Sequence, residues 1–160
     1  MLPDVKKILY ASDIDKGSRP AFRAAVSLCG HYNSEITYLH IIEPLSASAQ
    51  SVVETMMNDE SLHEMHSQGL ENLKRKMEDR IARFCETELE ENEMLSEGSV
   101  QSRVEEGTPW KTILRVADDI DADVIVMGTR THSAVGQFLL GSTANKVMQN
   151  SKRPILIVPL

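Results

Sequence analysis

Short apolar runs alternate with helical patterns along this chain, and that alternation limits the possible folds more than any other feature. Five runs read as strands: residues 5–12 (VKKILYAS), 35–42 (EITYLHII), 100–105 (VQSRVE), 123–128 (DVIVMG) and 154–159 (PILIVP). Each is too short for a helix and is bounded by Asp, Gly, Pro or charge. Between them lie helical patterns. Residues 18–31 set Phe22, Ala25, Val26 and Cys29 on one face, and residues 61–91 repeat Leu70, Leu73, Met77, Ile81 and Phe84 at spacings of 3, 4, 4 and 3, the helical period. Thr108-Pro109 reads as N-cap and first helical residue ahead of Trp110, Ile113, Leu114 and Ala117. Residues 142–150 carry Ala144, Val147 and Met148.

The order is βα four times and then a closing strand, which predicts an α/β domain with a mostly parallel sheet covered on both faces. Residues 123–127 suit a central parallel strand because they are apolar on both faces. Right-handed crossovers bring every βα loop to the carboxyl edge of the sheet, where open α/β sheets hold their ligands. The stretch 43–60 (EPLSASAQSVVETMMNDE) is long for a βα connection. It is expected to be partly helical, with Val52, Val53, Met56 and Met57 set against a loop or a partner. Residues 91–99 read as a solvated turn. No internal repeat is present, and residues 1–160 are expected to form one domain.

Charge and composition exclude several functions. Seventeen Lys and Arg against 24 Asp and Glu leave a net charge of −7, which disfavours nucleic acid. No apolar run approaches the ~20 residues of a membrane span. The first residues, MLPDVKK, lack a signal-peptide stretch, so a cytoplasmic protein is expected. Cys29 and Cys85 stand far apart without a CxxC, which points to neither a disulfide framework nor a Cys-based zinc site. His63 and His66 are three apart beside Glu60 and Glu64, but a polar helix start explains them better than a metal site. The acids at 118, 119, 121 and 123 read as a solvated connection.

The segment MGTRTHSAVGQFLLGST at 127–143 carries the most chemistry. An apolar strand ends in Gly128, a polar loop follows, and a helix starts through Gly141-Ser142-Thr143. A helix start offers unpaired N–H groups and the positive end of a dipole, and two hydroxyls lie beside it. This combination suits phosphate. No Walker P-loop is present, and the segment after the first strand, DIDKGS, is no dinucleotide fingerprint. A phosphoacceptor receiver would need an Asp ending the third strand and a Lys ending the fifth. This chain has Glu105-Glu106-Gly107 at the first place, and Lys152 precedes the last strand. Nothing resembles a GxSxG nucleophile elbow. His132 could approach a terminal phosphate, so slow ATP hydrolysis stays open, although an exposed loop histidine is the simpler reading.

With Gly128 and Gly141-Ser142 in place, the chain resembles the universal stress protein family, whose signature is G-x2-G-x9-G-(S/T). The resemblance extends to ILYASD at 8–13, LHII at 39–42, Gly107-Thr108-Pro109 and RPILIV at 153–158. It implies a Rossmann-like five-stranded sheet in the order 3-2-1-4-5. It further implies a cytoplasmic homodimer that binds ATP or AMP as a regulatory ligand in stress response and is no enzyme. Asp13, beside Ala11, matches the residue that contacts the nucleoside, and Ile41 the one whose backbone meets adenine. Met127, Gly128, Arg130, Gly141, Ser142 and Thr143 fall on phosphate-loop positions. No metal is required, although Mg2+ can accompany ATP.

One position departs from the signature: Thr131 replaces its second glycine. A Cβ there hinders a left-handed backbone and crowds a phosphate. Either the Thr131 hydroxyl becomes a new donor, or the phosphate site is impaired. In the second case the chain is a dimeric interaction module of the same fold that binds no nucleotide. The hydrophobic last strand, set at a sheet edge, is expected to pair with a second copy through Ile155, Ile157 and Val158.

Overall fold

The computed structural model describes residues 3–12, 19–88, 95, 98–129 and 140–160. The five expected strands form as β1 (Lys7–Ala11), β2 (Glu35–Ile42), β3 (Val100–Glu106), β4 (Val124–Gly128) and β5 (Ile155–Val158). All pairs are parallel, and the order is β3-β2-β1-β4-β5. The βα alternation anticipated the parallel sheet, and the family resemblance its Rossmann-like strand order. The helices are α1 (Arg19–Tyr32), α2 (Ala47–Met56), α3 (Asp59–Glu88), α4 (Pro109–Asp119) and α5 (Ser142–Asn150).

Strand alternation divides the core in two. Ile8, Tyr10, Ile36, Tyr38 and Val126 face α1 and α3, where they meet Phe22, Ala25, Met77 and Phe84. Leu9, Ala11, Leu39, Ile125 and Met127 face the other way, against Ile113, Val116, Ala144 and Val147 of α4 and α5. Few aromatics serve this core, and four of them cluster: Phe22 lies 5.2 Å from Tyr10, 5.4 Å from Tyr38 and 4.7 Å from Phe84 between ring centroids.

The stretch after β2 is partly helical, as expected: α2 covers Ala47–Met56, with the Ser46 side chain accepting from the Ala49 N–H at 3.3 Å. Other details depart from the sequence expectations. No residue of α2 is buried, and Val52 and Met56 are exposed. Thr108 holds the N-cap position of α4 with Pro109 in its first turn, but its side chain makes no capping bond. The acidic run is structural as well as solvated. Asp123 accepts from the backbone N–H groups of Lys6 and Lys7, both at 2.8 Å. Asp118 and Asp121 receive the Arg153 guanidinium at 3.3 and 3.2 Å, and Arg153 also donates to the Ala122 carbonyl. These bonds tie the entry of β1 and the exit of α5 to the turn before β4.

The edge strand β5 is only partly covered. Ile155 and Ile157 lean on the α4–α5 cluster and Val158 on the α1–α3 cluster, while Leu156 is 37% exposed. At the opposite end of the sheet, Glu105 receives Arg103 at 2.7 Å and Arg115 at 2.8 Å, and both arginines reach Asp119. The Arg115 hydrogen bond, followed by that of Arg103, holds the Glu105 carboxyl below the usual range.

Candidate functional site

Parallel strands all end at one edge, and a cavity of about 410 Å³ lies at that edge on the α4–α5 side. Ala11, at the end of β1, Ile41 of β2, and Met127 and Gly128, at the end of β4, line it. So do Gly141, Ser142 and Thr143 at the start of α5. Seven of the ten candidate residues therefore converge. The other three, Asp13, Arg130 and Thr131, lie outside the described residues, as does His132.

The floor is apolar, formed by Ala11, Leu39, Ile113, Met127 and Ala144. The rim is polar. Gly141 is the N-cap of α5 and offers no side chain to cap it. Ser142 is therefore the first helical residue, and its hydroxyl is not consumed as a cap. The first-turn N–H groups have no partner within the helix, and the positive end of the helix dipole meets the cavity. His40 Nδ1 lies 3.1 Å from the Ser12 carbonyl oxygen, which fixes the ring at the rim beside Glu43. Thr129 also lines the cavity. It is 5% exposed, and its hydroxyl has no hydrogen-bond partner among the described residues.

Gly128 has a role that its place in the signature does not reveal. Its backbone is not left-handed. A Cβ there would stand 2.5 Å from Leu160 Cδ1 and 2.7 Å from Cγ, so the Leu160 side chain occupies the space that the missing Cβ leaves open. Leu160 thereby becomes part of the cavity wall.

Sequence reasoning missed His40, Glu43, Thr129 and Leu160. The first three flank predicted residues at strand ends, so the carboxyl-edge argument could have reached them. No sequence signal pointed to Leu160.

Other chemistry finds little support among the described residues. No group of three or more His, Cys, Asp or Glu is arranged there to hold a metal. His66 instead meets Glu106, with Nε2 2.8 Å from Oε1. Burial pushes the thiols of Cys29 and Cys85 up, which leaves neither as a ready thiolate. No described helix is long and apolar enough to cross a membrane.

Comparison with known proteins gives a consistent picture. The model of the universal stress protein family matches residues 4–159. A universal stress protein of Methanocaldococcus jannaschii is 24% identical over 153 residues, covering 96% of this chain and 94% of its own. The solved structure of that archaeal protein superposes with a TM-score of 0.69 at 25% identity, covering 98% and 96% of the two chains. A stress response protein of Bacillus subtilis is 27% identical over 165 residues, covering 95% and 96%. A universal stress protein solved in complex with cAMP shares the fold, with a TM-score of 0.60 at 18% identity and 98% coverage of both chains.

Proposed function

This chain belongs to the universal stress protein family, and on that premise we propose that its sheet-edge cavity binds an adenine nucleotide, ATP or AMP, as a regulatory ligand. One observation carries the reading. Seven residues expected from the family signature and strand ends line a single cavity that pairs an apolar floor with an uncapped helix start. The floor suits a base. The α5 N-terminus and the hydroxyls of Ser142 and Thr143 suit phosphate oxygens. The Thr129 hydroxyl and the Glu43 carboxylate offer a donor and an acceptor for ribose or base. That a neighbour of the same fold was solved with cAMP is a precedent for the fold; the reading for this chain rests on its own cavity.

The ligand acts here by binding, and no residue is assigned a catalytic role. The protein is read as a cytoplasmic homodimer with β5 at the two-fold axis. Leu156→Lys tests that dimer better than Ile157→Lys, because Ile157 already packs against the core. Loss of a light-scattering dimer in Leu156→Lys supports β5 as the interface, and a wild type that is already monomeric removes the dimer.

Titration calorimetry with ATP and with AMP tests the nucleotide. Binding of either, weakened about tenfold by Ser142→Ala, fits the loss of a charge-assisted bond. Absence of binding by both favours a second reading, an interaction module without nucleotide. The Leu160 side chain against Gly128 is the feature that favours it, because it fills space beside the first signature glycine.

A further inference from the structure

A second cavity, of about 330 Å³, opens on the other face of the sheet, between α1 and α3. Arg19, the first residue of α1, forms one wall. The other wall is a stripe of α3: Arg80, Arg83 and Thr87. These stand at positions i, i+3 and i+7 and so share one helical face. Phe22 and Phe84 form the floor, backed by Tyr10 and Tyr38.

Three guanidiniums thus surround one small aromatic-floored cavity on a chain of net charge −7, with no carboxylate among the described residues that line it. Arg19 and Arg80 each already have an interaction partner. A guanidinium has five N–H donors, so each can still contribute to an oxyanion. The Thr87 hydroxyl donates to the Arg83 carbonyl at 2.8 Å, which steadies the turn that carries Arg83.

We propose that this cavity binds a small organic phosphate, a phosphate monoester on an aromatic or apolar body. Guanidiniums match phosphate in bidentate fashion, and several of them favour a dianion over a carboxylate. The floor of Phe22 and Phe84 receives the body. At about 330 Å³ the cavity lies at the small end of ligand sites, which suits one ring and one phosphate. The sheet separates it from the nucleotide cavity, so this site does not depend on that reading.

Phenyl phosphate is the probe, phenol is its neutral control, and amide NMR shifts are the readout. Phenyl phosphate is expected to move the amides of Arg80, Arg83, Phe84 and Thr87, and phenol to move them only at much higher concentration. Arg83 is exposed, so Arg83→Gln keeps the fold, as its own spectrum checks, and should weaken binding about fivefold or more. Three results would overturn the proposal: no shift up to ~10 mM probe, shifts gathered on Gly141 to Thr143 instead, or wild-type affinity in Arg83→Gln.

Discussion

Gly128→Ala tests what the first signature glycine is for. The new Cβ would fall 2.5 to 2.9 Å from three carbons of Leu160. The obstructing atoms are the far end of a flexible side chain, so Leu160 should rotate out and the β4 backbone should stay in place. Leu160 is 37% exposed, so somewhat under two-thirds of its surface is buried. Complete burial of a leucine is worth about 1.5–3 kcal/mol, which makes this partial burial worth about 1–2 kcal/mol. Leu160→Ala should cost about the same, because it removes the same contact. The double variant should then cost little more than Leu160→Ala alone, giving a coupling of about 1 kcal/mol or more, beyond the ~0.5 kcal/mol scatter of independent sites. Urea unfolding of the four proteins measures it. Additive losses would refute the reasoning and mean that position 128 excludes a side chain for a reason other than Leu160.

Gly107 has φ +145°, and a Cβ there would meet Thr112 Oγ1 at 2.7 Å. Gly107→Ala should therefore lose about 1–3 kcal/mol, a melting-temperature fall of about 2–4 °C per kcal/mol at this size. Gly30 lies in α1 with open space around it, and Gly30→Ala should instead gain about 0.5–1 kcal/mol; equal effects at the two sites would contradict the backbone argument. Glu105→Gln should destabilise near neutral pH. The Glu105 carboxyl is held below its ordinary value of 4.5, so its contribution is complete above that value and fades as pH falls through the lowered one. A gap between variant and wild type that persists unchanged in strong acid would count against the Arg115 and Arg103 contacts as its source. Phe84→Ala removes a ring that is 8% exposed and packed 4.7 Å from Phe22. The loss should be about 3–5 kcal/mol by chemical denaturation, and a loss under ~1 kcal/mol would show that the cluster collapses to fill the gap.

The sheet was legible because its strands carry their own signal. Residues 123–127 suit a central parallel strand, apolar on both faces, and strand order followed from the family resemblance. Seven candidate site residues were legible because the family resemblance singled them out and topology sends strand ends and the following helix starts to one edge. The α2 helix was hard to read because it buries nothing, so no apolar period fixed its face or its ends. Thr108 was read as a cap from residue type, but a capping bond depends on a rotamer that sequence does not specify. The acids at 118, 121 and 123 looked like solvated charge because their partners, Arg153 and the Lys6 and Lys7 amides, are distant in sequence. The same separation hid the contact of Leu160 with Gly128.

The long helix α3 has unequal halves. Its buried residues, Met77 and Phe84, both lie in the second half, while residues 59–72 contain none. The first half is held to the sheet through contacts such as the exposed pair His66–Glu106, and exposed ion pairs contribute only about 0–1 kcal/mol. Amide exchange should therefore divide within this one helix. The turns beyond Leu73 should open only with the sheet, and the first turns should open, together with α2, at a small fraction of the global free energy. Among the described residues, a protease acting on native protein should consequently cut first within 47–72 and leave the sheet assembled.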